Sequence, residues 1–494
     1  MNSKIPSYEK LFIGGQWCDP SSTDILSVFS PATEEIVATI PAVTADDMDK
    51  AIAAARQAFD NGPWPRMSAT ERSHYLSRAA EEVAKRDAVI AASFTAEVGG
   101  PGALASFMGV QAQKMWNDAA TFHSRFKFEE ERDWEGGRGI LTYEPVGVLA
   151  TILPWNGPVP TASLKMGAAL AAGCTLVVKP APEAPIGTLI LAEALEAAGF
   201  PEGVISILPA GRDIGRLLVS DPRIDKVAFT GSTRGGAEVM SECSKRIAGV
   251  TLELGGKSAA IIADDIELDP IIQSTVFNAI GHSGQICAAL TRVLIRKDRQ
   301  EELVSKMAEL MESLKVGDPQ DPDTAIGPMI SKAQRDRVEN YIKIGREEGA
   351  RLVCGGSRPA HLEQGWYVNP TLFADVDNKM RIAQEEIFGP VITVIPFDDI
   401  DHAVKIANDS DYGLSGAVYA SDIALAEKIA RRVKTGQISV NTWDMCVVQP
   451  FGGVKKSGIG REGGLEGLQE YLEPKLIILP EKLSTRAESP KDLN

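Results

Sequence analysis

The chain has 494 residues, 44% of them hydrophobic and 24% charged, with a formal net charge of −16. That length predicts two or three domains, and the composition excludes a largely disordered chain. The negative balance argues against a nucleic-acid partner, because a polyphosphate backbone would be repelled.

The opening segment, MNSKIPSYEKLFIGG, has no apolar run after its first charges, so no secretory signal is expected. Residues 44–61 begin with Thr44 as a cap and Asp46 and Asp47 in the first turn. Met48, Ala51, Ile52, Ala55 and Phe59 then share one face, as an amphipathic helix requires. Ser68 and Glu71 have the spacing of a capping box for a second helix. The first 120 residues thus read as a helical layer behind a short N-terminal hairpin.

From about residue 146 the texture changes. VGVLATIL, CTLVVKP, VISILPAG, KVAFTGS and VTLELGG are short apolar runs ended by Gly or Pro, with helical patterns between several of them. One such helix is PIGTLILAEALEAAG, which Gly199 is placed to stop. Apolar strands alternating with helices predict a parallel, doubly wound sheet, with ligands bound beyond its carboxyl ends. The most apolar stretch, MGAALAAGCTLVV, lies between Lys165 and Lys179 and falls short of the roughly 18 residues of a membrane span. A second α/β series runs from about 256 to 450, and the polar tail TRAESPKDLN reads as frayed.

Several strand ends carry chemistry-bearing residues. Gly231 and Ser232 follow an apolar strand and precede a helix expected from about Arg234, so its N-terminus suits a phosphate. Lys179 stands just past another strand, where a cation could reach a ribose or a phosphate. In LELGGK, Glu253 ends an apolar strand, and desolvation there would raise its pKa toward that of a general base. LPWNGP presents Asn156, whose amide could donate to an oxyanion. EEIFGPV offers Glu386 and Phe388, a carboxylate and an aromatic ring that could flank a ligand.

The remaining stretch is NAIGHSGQICAALTR, with Cys287 five residues after His282. A lone cysteine is most often a buried thiol. It could also be half of a dyad with His282, a metal ligand, or a nucleophile activated by a helix N-terminus. The six cysteines (18, 174, 243, 287, 354 and 446) form no C-x-x-C pair and no zinc-like spacing. No metal is expected, and free thiols in the cytoplasm are the simplest reading.

Taken together, LPWNGP, VVKP, FTGST, LELGGK, SGQIC, EEIFGPV and PFGGVKKSGIGRE resemble the aldehyde dehydrogenase superfamily in order and spacing. The resemblance runs from LFIGGQW to YLEPKLIILP. It implies an α/β fold with a doubly wound, Rossmann-like cofactor domain (1–125 and 146–255) and an α/β catalytic domain (256–453). It also implies a return segment (454–470) and a small β oligomerisation element (126–145 and 471–494), hence a homodimer or homotetramer.

The resemblance further implies Cys287 as the nucleophile, Asn156 as oxyanion donor, and Glu253 as the base that hydrolyses a thioester intermediate. Lys165 and Glu462 match residues linked to a proton path from that glutamate. The cofactor would meet Ile152, Trp155, Lys179, Gly211, Gly231, Ser232, Gly236, Leu254, Glu386 and Phe388. Where many NAD-preferring members carry a ribose-binding glutamate this chain has Pro182, with Glu183 one residue later. That leaves NADP or dual use open beside NAD. The positions matching the aldehyde pocket are Gly157, Thr161, Leu164, Ile286, Ala288, Trp443, Cys446 and Val447. They lack the Arg or Lys expected for a semialdehyde, so a bulky apolar aldehyde (aromatic, terpenoid or medium-chain) is the expected substrate. A CoA-acylating enzyme, a semialdehyde dehydrogenase, a cysteine esterase and a non-enzymatic binding role are the alternatives, and the presence of Glu253 argues against the first.

Overall fold

The computed structural model describes residues 5–480 except 136, 445 and 447. Its largest sheet has eight strands, in the order Gly458–Ile459, Gly249–Glu253, Lys226–Thr230, Val148–Ile152, Thr175–Lys179, Ile205–Ile207, Leu11–Ile13, Gln16–Cys18. The five central strands are parallel, and those at Val148–Ile152 and Thr175–Lys179 are buried at every position, as coverage on both faces requires. In chain order these five run 5-4-1-2-3 across the sheet. The order therefore reverses between Val148–Ile152 and Lys226–Thr230, which opens a crevice beyond their carboxyl ends.

The sheet is mixed rather than wholly parallel. The N-terminal hairpin joins one edge antiparallel through Phe12 opposite Ile207, and Gly458–Ile459 closes the other edge antiparallel to Gly249–Glu253. Antiparallel edges need no crossover helix, so short segments from remote parts of the chain can cover them.

The helix Ala45–Asn61 starts where its sequence predicts, with Thr44 and Asp47 in a reciprocal capping box. Ser68 and Glu71 do the same for Ala69–Ala84. Gly199, at φ 75°, stops Ile186–Ala198.

The second sheet has seven strands, in the order Arg351–Cys354, Thr371–Ala374, Val391–Phe397, Arg292–Arg296, Ala259–Ile262, Gly416–Tyr419, Ser439–Val440. All its neighbours pair parallel except Arg351–Cys354 with Thr371–Ala374. Residues 254–258 connect Glu253, the last residue of a first-sheet strand, to the first strand of this sheet. The carboxyl edge of one sheet thereby leads directly into the amino edge of the other.

Arg292 pins this junction. Its buried guanidinium donates to the Lys257 carbonyl (2.9 Å), Asn378 Oδ1 (3.0 Å), the Ile406 carbonyl (3.0 Å) and the Ala407 carbonyl (2.9 Å). Replacing it with methionine would leave four buried acceptors unpaired, at about 1–3 kcal/mol each before relaxation. Arg292→Met is expected to lower the thermal midpoint by several degrees; an unchanged melting curve would contradict this role.

A third, antiparallel sheet joins Leu472–Leu479, Gly137–Pro145 and Glu129–Trp134, in register from Leu472 opposite Pro145 to Leu479 opposite Arg138. Among the described residues no helix is long and apolar enough to cross a membrane.

Candidate active site

The crevice at the strand-order reversal is a cavity of about 370 Å³. It runs into a second of about 240 Å³ that shares Pro154, Trp155, Thr230, Gly231 and Ser232 with it. The first holds Ile152, Lys179, Pro182, Glu183, Gly211 and Ser232. The second holds Asn156, Glu253, Leu254, Cys287, Glu386 and Phe388. Residues chosen from separate sequence motifs thus meet in one continuous cleft.

Lys179 is the last residue of its strand and is almost wholly buried. Its ammonium donates to the carbonyls of Pro180 (3.1 Å) and Ala210 (2.8 Å), and burial lowers its pKa to about 8 against the opposing pull of Glu183. Ser232 is the N-cap of Thr233–Ser244, and its hydroxyl accepts from the Gly235 N–H at 3.1 Å. Thr230, which lines both cavities, has a buried hydroxyl without a partner among the described residues. A side-chain carbon at Gly211 would meet nothing within 4 Å. A cation, a helix N-terminus, an unpaired hydroxyl and open space at Gly211 suit a dinucleotide threaded toward Cys287. Gly235 lines this cavity, whereas Gly236 packs beneath Leu254.

The second cavity is walled by Trp155 and Phe388, whose rings meet edge to face with centroids 5.4 Å apart. Phe388 has a φ of 59°, unusual for an aromatic residue, so its loop needs outside support. Gln334 donates to the Phe388 carbonyl (2.9 Å), and Arg337 donates to the carbonyls of Glu386 (2.5 Å) and Ile387 (3.3 Å). Glu386 accepts from the Gly256 N–H at 3.0 Å, while burial raises its pKa. Gln334 and Arg337 went unnoticed in the sequence because they lie some 50 residues from the loop they hold, with only helical periodicity around them.

Cys287 follows the short helical turn Gly281–Gly284, in the connection leading to Arg292–Arg296. Among the described residues no helix begins at Cys287, so the helix N-terminus that could have activated it is not there. Withdrawal from water, followed by the nearby carboxylates of Glu253 and Glu386, pushes the thiol up to about 12. The backbone N–H groups of Cys287 and Ala288 act in the opposite sense. His282 makes no dyad with it: the buried ring lies against Phe94, with ring centroids 5.2 Å apart, and no hydrogen bond joins it to Cys287 among the described residues. Asn156 itself is already engaged, its Nδ2 donating to the Gln285 carbonyl at 2.9 Å.

Glu253 is 4% exposed, and both its carboxyl oxygens are buried without a partner among the described residues. Burial, and then the charge of Glu462, raise its pKa well above the usual carboxylate range, opposed by Lys165 and Arg461. Lys165 and Glu462 form a fully buried ion pair behind it. One Glu253 oxygen would lie 2.6 Å from a side-chain carbon placed at Gly452, so only glycine leaves the carboxyl its space there.

The residues matched to an aldehyde pocket are placed less uniformly. Gly157 is the N-cap of Pro158–Ala172, on which Thr161 and Leu164 are half-buried. Ile286, Trp443 and Cys446 are also half-buried, whereas Ala288 is fully buried. None of these lines the two cavities above, and Val447 lies outside the described residues.

This combination of a doubly wound crevice, a cysteine and a desolvated glutamate at its inner end suits a dinucleotide-dependent enzyme. The family model of the aldehyde dehydrogenase family matches residues 17–477. A geranial dehydrogenase from Castellaniella defragrans is 42% identical over 474 residues, covering 96% of this chain and 99% of that protein. Among solved structures, an aldehyde dehydrogenase from Mycobacterium tuberculosis complexed with NAD+ superposes with a TM-score of 0.95 at 44% identity, covering 96% and 99% of the two chains. A Cys-to-Ala mutant of aldehyde dehydrogenase C from Pseudomonas syringae, complexed with NAD+ and octanal, gives 0.93 at 37% identity over the whole of both chains. The chain belongs to the aldehyde dehydrogenase family, whose members oxidise aldehydes with a nicotinamide cofactor.

Proposed function

We propose that this enzyme oxidises a bulky apolar aldehyde, of terpenoid, aromatic or medium-chain type, to its carboxylic acid with NAD+, using Cys287 and Glu253 in sequence. The observation that carries the reading is the meeting of Cys287, Glu253 and Asn156 at the inner end of a cleft shaped for a dinucleotide. Lys179, Gly211, Gly231 and Ser232 would hold the adenosine and pyrophosphate side, and Glu386 and Phe388 the nicotinamide side. When bound, the cofactor supplies a hydride acceptor.

Cys287 attacks the aldehyde carbon and forms a thiohemiacetal, with the thiol proton leaving the site. An amide carries two N–H bonds, and Asn156 spends one on the Gln285 carbonyl. Its other N–H, together with the N–H groups beside the sulfur, can take the developing oxyanion. Loss of the hydride leaves a thioester on Cys287. Glu253, made a stronger base by its raised pKa, activates the water that releases the acid. Its proton can pass toward the buried Lys165–Glu462 pair.

The substrate class rests on the apolar character of the pocket-matched positions. Two relatives support it: one is a geranial dehydrogenase, and one structural neighbour is complexed with octanal. Initial rates with geranial, octanal and benzaldehyde should exceed those with succinic semialdehyde by at least about tenfold in kcat/KM, the order expected when a charged group enters a site without a partner for it. Equal efficiency on succinic semialdehyde would overturn the assignment. Running the panel with both cofactors ranks NAD+ against NADP+. Pro182 removes a carboxylate that would repel a 2′-phosphate, while Glu183 still lines the cavity, and NAD+ is expected to be the better cofactor.

We assign residues 1–125 and 146–255 to cofactor binding and 256–453 to catalysis, with 454–470 returning to the first unit. The three-stranded sheet is assigned to subunit pairing. Its edge strand Leu472–Leu479 exposes Leu476, Ile477 and Ile478, and Trp134 is exposed on the opposite strand, an apolar surface suited to a homodimer or homotetramer. Residues 481–494, included with this element on sequence grounds, lie outside the described residues.

A further inference from the structure

Just before Cys287 in the chain, Gln285 is held on every side. After the helix Asp269–Ile280, residues His282, Ser283 and Gly284 run at φ 54°, 56° and 70°. Left-handed backbone at two successive residues with side chains needs external support. Ser283 Oγ supplies part of it by donating to the Gly327 carbonyl at 2.7 Å, and a side-chain carbon at Gly284 would collide with the Gly389 carbonyl. The larger part comes from Gln285, whose side chain is fully buried.

The Gln285 amide docks across Met329 as a peptide group would. Its Oε1 accepts from the Ile330 N–H at 2.9 Å, and its Nε2 donates to the carbonyls of Pro328 (3.4 Å) and His282 (3.3 Å). The segment it docks on is itself fixed. The Met329 N–H donates to the Trp366 carbonyl at 2.9 Å, and a side-chain carbon at Gly327 would collide with the Gly99 carbonyl. The Gln285 backbone is tied as well: its N–H donates to the His282 carbonyl (3.1 Å), and its carbonyl accepts from Asn156 Nδ2 (2.9 Å). One buried residue therefore links the loop carrying Cys287, the segment 327–330, and the loop after Val148–Ile152 that carries Asn156.

The bond to Asn156 bears on the chemistry. A primary amide is planar, so once one N–H is committed to the Gln285 carbonyl, the aim of the other follows from where that carbonyl stands. We propose that Gln285 is a positioning residue: by docking its side-chain amide across residues 328–330 it fixes its own carbonyl, which aims the free N–H of Asn156 beside Cys287. The inference rests on the reading of Asn156 and Cys287 as the oxyanion site.

The test carries Gln285→Met, Asn156→Ala and the double variant through NAD+-dependent oxidation of octanal, hydrolysis of p-nitrophenyl acetate, and alkylation of Cys287 by iodoacetamide. The first two reactions pass through an oxyanion on the substrate carbonyl. The third displaces iodide from a saturated carbon and forms none. Methionine is close to glutamine in length and leaves the amide's hydrogen bonds unmade. Gln285→Met is expected to slow the first two reactions about 10–100-fold while alkylation stays within about twofold of wild type. Its effect on them should vanish in the Asn156→Ala background, where the carbonyl has no amide to aim. Full additivity of the two substitutions, or an equal loss in alkylation, would overturn the proposal and leave Gln285 as a support of the Cys287 loop alone. A wild-type rate in Asn156→Ala would overturn the oxyanion reading beneath, and the proposal with it. Gln285→Glu covers the case in which methionine disturbs the fold. It keeps the acceptor for the Ile330 N–H and can donate to the Pro328 carbonyl only when protonated. Its acylation rate relative to wild type should fall as pH rises, and a relative rate that climbs with pH would contradict the proposal.

Discussion

Cys287→Ala is expected to lower NADH formation from any aldehyde by at least about 10³-fold while NAD+ still binds, because Cys287 is the one cysteine among the described residues that line the two cavities. Cys174, Cys243 and Cys354 are buried in core positions, and Cys18 lies on the first strand hairpin. Residual activity above that level would point to a hydride transfer that needs no covalent intermediate. The alanine removes a single sulfur beside a cavity, so the thermal midpoint should move little. Measured together, rate, cofactor affinity and melting separate loss of the nucleophile from loss of the fold. The high thiol pKa adds a chemical check: alkylation of Cys287 by iodoacetamide in the cofactor-free enzyme should be slow near pH 7 and accelerate as pH rises, since only the thiolate reacts.

Glu253→Gln should separate the two halves of the reaction. With glutamine the thioester still forms, so one equivalent of NADH per site is released in a burst. Turnover then falls by about 10²–10⁴-fold, the usual contribution of a positioned general base. In the wild type the base is competent only when ionised. Its pKa is raised by burial and by Glu462, so the hydrolytic limb should climb with pH through that raised value, and the variant should lose the climb.

The same shift has a stability consequence with the opposite sign. A carboxyl whose folded pKa exceeds its unfolded one favours the native state less and less as pH rises between the two values. Above that window Glu253 is a buried charge without a hydrogen-bonding partner among the described residues, and there Glu253→Gln is expected to melt at or above the wild-type temperature. A variant that loses both the burst and the thermal midpoint would show that Glu253 supports the fold rather than hydrolysis.

Local signals were legible where local physics decides. Thr44 with Asp47 and Ser68 with Glu71 form the capping boxes their spacing predicts, Gly199 ends its helix, and the apolar runs around residues 148–152 and 175–179 are buried parallel strands. Lys179, Ser232 and Glu253 stand at strand ends or helix starts because those positions follow directly from the strand pattern. Cys287 was different. No feature of its own neighbourhood distinguished it from an inert thiol, and only the ordered set of motifs did. What stayed hidden depends on contacts between distant segments: the antiparallel edges, the four-acceptor anchor at Arg292, and the hold of Gln334 and Arg337 on Glu386 and Phe388. The left-handed run at 282–284 also escaped, because His and Ser carry no sequence mark for positive φ and the run is imposed by its hydrogen bonds to residues 327 and 330.

The central claim is that Cys287 becomes acylated and Glu253 releases the acid. It is tested most directly by intact-mass and peptide mass spectrometry of Glu253→Gln mixed with NAD+ and octanal. The account predicts stoichiometric addition of an octanoyl group on the peptide carrying Cys287, formed only with cofactor present and matched by one equivalent of NADH. NADH release without an adduct, or an adduct on another cysteine, would contradict it.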